Sequence, residues 1–498
     1  MAIPFEVLLD TEKDYDFDTD ISAYVTFFHA FVGSRMPDER LATHNRLEMT
    51  LDNRDAVFGP ESASYSDALF VGVAVMIQSA SGSHFLGYVT EYRFDFNSVY
   101  VVALGRLAFL DGNVVFPIMQ NVRADEIIDY VLDRAWLPWP RADSTNGPHW
   151  QLNQSYLGGT GAMETNQTVL GSFVLDSEVV LGTGVSTFDY VGNHYTQPTA
   201  LQILRDAVTA EWGFLVEYQN GVIVFHNRHY RISLTSTDFT VTAVREFAYG
   251  VGPIFNEITV RISPVYFDLA ATLWTNQAIL RFSKSLPRKR FQFRDPTGRA
   301  LGVLGEVTDP GLVFYDSDQL NKVAKRQPLY ETIPDGSGFW IDVGFSTKDE
   351  DVLYVPDGGQ TVVGDAVVEA DPVTIVWRNE DSIVQRGRQS LPIDLPNFAD
   401  LELAEDLAYW VGGQFDAIPI FQWVDVDPAF YATVSLGNVI RLNIAEPFNH
   451  DVRYLVIGRE VWFEAGVSRL RFYLEQVSQR GYWILNRSTL GNNTRLAL

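Results

Sequence analysis

Eight histidines, 63 acidic residues and no cysteine are the raw material for chemistry in this chain of 498 residues. The missing thiol excludes cysteine nucleophiles, thiolate zinc sites, iron–sulfur clusters and disulfide scaffolds. No Gly-x-Ser-x-Gly, Gly-x-Gly-x-x-Gly, Walker or His-Glu-x-x-His pattern occurs. His226 and His229 stand three apart, a spacing that on a helix could pair on a metal. They follow a strand-like run instead, and read as two histidines at a strand end. Asp14, Asp16, Asp18 and Asp20 alternate like the opening of a calcium loop. The loop's Gly is missing and Val25 stands where its bidentate Glu belongs, so a solvated acidic strand fits better. Carboxylates are too abundant for an acid–base pair to be picked. The sequence therefore assigns no catalytic residue, no cofactor and no metal ligand.

Charge carries more information. Acidic residues number 63 against 37 basic ones, a net charge of −26. A general affinity for nucleic acid or anionic membranes needs a cationic surface, which the chain as a whole lacks. The excess has two readings. It keeps the protein soluble, or, after oligomerisation, it lines a passage whose carboxylates repel DNA phosphates. One stretch breaks the trend: Arg281, Lys284, Arg288, Lys289, Arg290, Arg294 and Arg299 face only Asp295. It is either a solvated face or a contact with an acidic neighbouring subunit or partner.

The elements that position these groups are mostly strands. Hydrophobic residues make up 46% and charged residues 20%, with 33 Phe, 22 Tyr and 11 Trp, which is globular composition. No apolar run approaches the ~18 residues of a membrane-spanning helix. Met1 to Phe5 shows neither the basic region nor the apolar core of a secretory signal, so assembly in a cytoplasm is expected. Leu47 to Leu51 alternates apolar and polar and ends in a turn cluster at Asp52 to Asp55, as a half-buried strand does. Ala23–Phe31, Val71–Gln78, Gly87–Phe96 and Val99–Phe109 also read as strands. Arg123–Trp136 has helical spacing, and 138–171 reads as a long loop. A second helix runs from Pro198 through Leu201, Leu204, Val208 and Trp212, with Gly213 as its left-handed cap. Asn220-Gly221 between two apolar runs marks a hairpin. A third helix spans Phe398–Val411 and stops at Gly412-Gly413. No repeat at a solenoid period is found.

Several phrases resemble one family in order along the chain. Leu47 to Pro60 (Leu-Glu-Met-Thr-Leu-Asp-Asn-Arg-Asp-Ala-Val-Phe-Gly-Pro) resembles a phrase near the start of tail proteins of tailed phages. Ala200 to Arg228 resembles their helix and hairpin. Asn256 to Val260 resembles an Asn-x-Val-x-Val strand, and Val456 to Glu460 with Gly466 to Glu475 resembles their last hairpin. The family is that of baseplate hub or tail-tip proteins, also called minor tail proteins.

The resemblance implies a mainly β chain with α+β parts: two tube-type β-barrels, a small intervening α/β domain and an inserted β-rich domain. On that division residues 1–122 form the first barrel and 123–230 the α/β domain. Residues 231–263 begin the second barrel and 376–498 complete it, interrupted by an insertion at 264–375 longer than the family's usual link. The resemblance further implies a homotrimeric, pseudo-sixfold ring in the virion tail. Its partners would be distal tail and tube proteins, the tape-measure protein, and receptor-binding or fibre proteins. DNA would pass through it without specific binding. No enzymatic module is recognisable. Two other readings stand beside this. One is a carbohydrate-binding adhesin using Trp136, Trp139 and Trp150. The other is a carboxylate-based glycoside hydrolase.

Overall fold

The computed structural model describes residues 5–134, 179–315, 329–483 and 494–496. Within these it leaves aside 12–16, 18, 43, 59–70, 81, 96, 111, 113–118, 182–183, 185–186, 191–198, 229, 231–233, 235, 250–253, 295–300, 305–306, 335–337, 346–351, 416–420, 446–449 and 478–480. Strands dominate, as the β-branched and aromatic runs require. The largest sheet has thirteen: β1 (Glu6–Asp10), β2 (Thr19–Asp20), β3 (Val25–Gly33), β4 (Arg46–Asp52), β5 (Ala74–Ser79), β6 (Gly82–Phe94), β7 (Ser98–Leu104), β8 (Phe239–Val241), β9 (Val244–Tyr249), β10 (Phe421–Val426), β11 (Val439–Ile444), β12 (His450–Glu464) and β13 (Val467–Gln476). Its main path runs β9-β10-β13-β12-β3-β4-β7-β6-β5-β1-β2, with β11 on β12 and β8 on β11.

This order overturns the two β-barrels. Among the described residues no sheet closes on itself; the path starts at β9 and ends at β2. The edge of β3 that could have closed the first half is hydrogen-bonded to β12 instead. Both halves of the chain therefore share one open sheet over one core, which includes Phe28, Leu47, Met49, Val101, Val424, Val461 and Phe472.

The sheet contains the same six-strand path twice. The first is β3-β4-β7-β6-β5-β1 and the second β9-β10-β13-β12-β11-β8, with strands taken in the same chain order. Two irregularities recur at matching places, while the shifts at Ile77/Gln78 and Ala248/Tyr249 have no counterpart. The β3/β4 ladder shifts between Val25 and Phe27, the β9/β10 ladder between Val244 and Glu246. The β6/β7 ladder shifts between Val89 and Glu91, the β12/β13 ladder between Val456 and Gly458. One pairing differs: β1 meets β5 antiparallel, whereas β8 meets β11 parallel.

A second core lies under three helices: α1 (Ala124–Arg134), α2 (Ala200–Glu211) and α3 (Leu401–Phe415). Strand Glu257–Ile262 joins this core. It pairs with Val373–Arg378 on one side and Ser390–Leu395 on the other, and buries Ile258, Val260 and Ile262 beneath α3. Between residues 265 and 369 short sheets surround a third core, built on Phe282, Phe293, Phe314, Phe339 and Ile341.

Candidate assembly interface

The β3–β12 seam joins the two six-strand units. Its register runs from Gly33 opposite Gly458 to Phe27 opposite Glu464. The two glycines are required where the strands cross. Gly33 has φ +92°, and an added Cβ would lie 2.5 Å from the Ile457 carbonyl oxygen. A Cβ on Gly458 would lie 2.0 Å from the Ser34 oxygen. The Ser34 N–H closes the seam by donating to the Ile457 carbonyl at 2.8 Å. Aromatic pairs fill its faces: Phe28 stacks on Phe463 with centroids 5.7 Å apart, and His29 on Trp462 at 5.2 Å.

A buried carboxylate orders the polar side. Glu460 accepts from His29 Nε2 at 3.2 Å, Arg35 Nη2 at 2.8 Å and Tyr473 Oη at 2.8 Å. Burial alone would raise its pKa, but these hydrogen bonds and the Arg35 charge outweigh it and hold Glu460 below the usual carboxylate value. Beside it, Arg471 grips Asp425 with two bonds of 2.6 and 3.0 Å while lying over the Trp423 ring. Arg459 is fully enclosed, and burial pushes its pKa down to about 9; its Nη2 donates to the Ala432 carbonyl at 3.0 Å. His84 is driven to about 2 by burial and then by the Arg459 charge, so it is neutral and bonds Ser79 Oγ at 2.6 Å.

Two other buried carboxyls brace the interior. Glu217 accepts from the backbone N–H groups of Arg106 and Leu107 at 2.9 and 3.2 Å, and burial raises it to about 7. Asp206 bonds Gln202 and Asn397, and burial raises it to about 6. Their partners are backbone N–H groups and amide side chains.

Of the basic stretch, Arg281 falls on strand Leu280–Ser283 and Arg288, Lys289 and Arg290 on strand Arg288–Gln292, while Lys284 and Arg294 lie just beyond these strands. Arg281, Lys284, Arg288, Arg290 and Arg294 are exposed and Lys289 is half-buried. Alternation sends Arg288 and Arg290 to one face, with Arg288 over the Trp340 ring, and Lys289 to the other, near Phe282. Arg294 Nη2 bonds Gln292 at 2.7 Å. Arg299, Asp295, Asp14, Asp16, Asp18, His229, Trp136, Trp139 and Trp150 lie outside the described residues. His226 stacks on Tyr230 at 3.8 Å and bonds the Tyr218 hydroxyl at 3.1 Å. Among the described residues no group of three His, Asp or Glu side chains could hold a metal ion, and no helix is long and apolar enough to cross a membrane.

No family model and no curated protein sequence matches the chain. Solved structures do. It is similar to the 43 kDa tail protein of prophage MuSo2 from Shewanella oneidensis, at 10% identity and TM-score 0.42, over 95% of this chain and 98% of that one. It is similar to a tail protein from Neisseria meningitidis MC58, at 7% identity and TM-score 0.42, over 96% and 97%. It is also similar to prophage tail protein gp18 from Listeria monocytogenes EGD-e, at 9% identity and TM-score 0.35, over 95% of each chain. At such identities and scores the likeness concerns the path of the chain alone.

Sequence reasoning missed the seam. Its signal was available in one place: Val25-Thr-Phe-Phe-His-Ala-Phe-Val-Gly33 aligns without gaps to Val244-Arg-Glu-Phe-Ala-Tyr-Gly-Val-Gly252, with Val, Phe, Val and Gly shared.

Proposed function

We propose that this chain is a structural subunit of a phage tail tip or baseplate, or of a related injection device. It acts by shape and self-association and not as an enzyme. The observation that carries this is the duplicated six-strand unit, joined edge to edge in one open sheet. A chain that already contains two like units side by side is half-way to a ring of like units. Three copies supply six, enough to continue a sixfold tail tube. In this reading the homotrimer sits between the distal tail or tube proteins and the receptor-binding or fibre proteins. The tape-measure protein and DNA occupy its axis. The net charge of −26 then keeps phosphates from sticking to the wall. The residues around 264–375 form a peripheral unit, and Arg281, Lys284, Arg288, Lys289, Arg290 and Arg294 contact an acidic partner.

The test is the mass and symmetry of the purified protein. Sedimentation should give three times the 56.1 kDa chain mass, and particle images should show threefold averages with a central opening. A monomer at every concentration would overturn the reading.

A further inference from the structure

Helix α3 carries a stripe that the fold does not use. Its inner face, Leu403, Ala404, Leu407, Ala408 and Val411, is buried in the second core. Leu401, Glu402, Glu405, Asp406, Tyr409 and Gly413 are exposed. At about 100° per residue these six share one arc of about 140°. Glu402 stands three and four residues before Glu405 and Asp406, and like charges at those spacings weaken a helix. Among the described residues none of the three carboxylates forms an ion pair. Tyr409 is 68% exposed and Leu401 44%, so the stripe also puts apolar surface into water.

The basic stretch supplies the complement. Strand Arg288–Gln292 runs antiparallel to Gly338–Gly344, with Arg290 opposite Trp340 and Arg288 opposite Asp342. Opposed residues share a face. Two exposed arginines and a half-buried indole therefore lie together, with Arg288 at 4.5 Å over the Trp340 ring. Asp342 is the one carboxylate these two strands carry, which leaves the face positive. Leu286, two residues before the strand, is 57% exposed. Arginine, tryptophan and tyrosine are the side chains that most often carry binding energy in interfaces. The spacings also agree. Arg288 and Arg290 are about 6.8 Å apart along the strand. Glu402 and Asp406 are about 6.0 Å apart along the helix.

We propose that the outer stripe of α3 in one copy docks on strands Arg288–Gln292 and Gly338–Gly344 of a second copy. Glu402 and Asp406 then meet Arg288 and Arg290, and Tyr409 packs beside Trp340. This rests on the self-association proposed above and deepens it, because it identifies the acidic partner of Arg288 and Arg290 as the next copy of this chain. Complementary charge at matched spacing selects that occupant, and one sequence supplies both sides. The contact is heterologous: each copy offers a helix to one neighbour and a strand face to the other, the arrangement that builds a closed ring. Its ion pairs sit at the surface, so salt screens them.

Charge exchange in the full chain tests the contact, with sedimentation at several salt concentrations as the readout. Arg288→Glu with Arg290→Glu, and separately Glu402→Arg with Asp406→Arg, should each weaken self-association roughly tenfold or more. The four changes on one chain should restore it, since every contact then pairs opposite charges again. An equimolar mixture of the two double variants should associate more tightly than either alone. Melting curves show whether each variant folds. One that does not is replaced by its neutral form, Arg288→Gln with Arg290→Gln or Glu402→Gln with Asp406→Asn, which should weaken association in the same direction. Unchanged trimer mass in both double variants would overturn the contact and leave the ring intact. Loss without recovery in the fourfold variant and the mixture would overturn the pairing of these charges. A wild type that stays monomeric would overturn the contact and the ring together.

Discussion

Replacing Gly458 by alanine tests the seam at its narrowest point. The new Cβ would sit 2.0 Å from the Ser34 oxygen and 2.9 Å from the Ser34 carbonyl carbon, both backbone atoms. A non-bonded carbon and oxygen need about 3.3 Å, so the strands must part by roughly 1.3 Å. That stretches the Ser34–Ile457 hydrogen bond, now 2.8 Å, beyond bonding range. Losing that bond and one neighbour costs about 1 kcal/mol each. Overpacking adds about 1–3 kcal/mol, for a total near 3–5 kcal/mol. Urea unfolding followed by tryptophan fluorescence measures it. Gly413→Ala is the control: nothing lies within 4 Å of its Cβ, and on helix α3 the change should gain up to about 1 kcal/mol. If Gly458→Ala costs less than about 1 kcal/mol, the seam yields without strain and the reasoning fails.

Three further outcomes are expected. Glu460 has a depressed pKa when folded, so its contribution is present above the unfolded value of 4.5 and is lost as pH falls through the folded value. Melting temperature should therefore drop more steeply below pH 4.5 in the wild type than in Glu460→Gln, and parallel curves would count against the network. Glu217 has the opposite sign: its pKa rises from 4.5 to about 7 on folding. Stability should decline between those pH values by an amount on the order of 3 kcal/mol, and Glu217→Gln should flatten that slope. Arg281→Glu with Lys284→Glu should leave the melting curve in place but weaken co-assembly with an acidic tail partner at physiological salt. Unchanged co-assembly would remove the basic stretch from the interface.

Local elements were legible where one physical rule decided them. The alternation of Leu47 to Leu51 is β4, and Asn220-Gly221 is a hairpin, with Gly221 at φ +81°. Helix α2 starts after Thr199, whose side chain accepts from the Gln202 N–H at 3.2 Å. Its left-handed cap, however, is Trp212 at φ +52°. Gly213 is there for another reason: a Cβ would strike the Phe225 ring at 2.6 Å. Helix α3 does not stop at Gly412-Gly413 but runs on to Phe415. Gly412 is placed inside it because the Trp377 ring occupies the space a Cβ would need. In both cases a glycine read as a backbone signal is a packing requirement set by a distant residue. The open sheet was illegible for the same reason. Whether β3 closes its own half or joins β12 depends on residues at the far end of the chain. Beyond the Val25–Gly33 and Val244–Gly252 match, no shared phrase announced the second unit.

The seam also sets a timetable for synthesis. His29 on β3 waits for Glu460, 431 residues later. At about 5–20 residues per second the ribosome takes roughly 20–90 s to deliver it. Through that interval the nascent first half displays a bare strand edge beside Phe28 and Phe31, on a polysome crowded with identical copies. Any β12 already finished on a neighbouring chain could reach that edge first. An exchanged dimer, interlocked through the two halves, is the misassembly this architecture invites. Slowing translation after residue 104 should increase it.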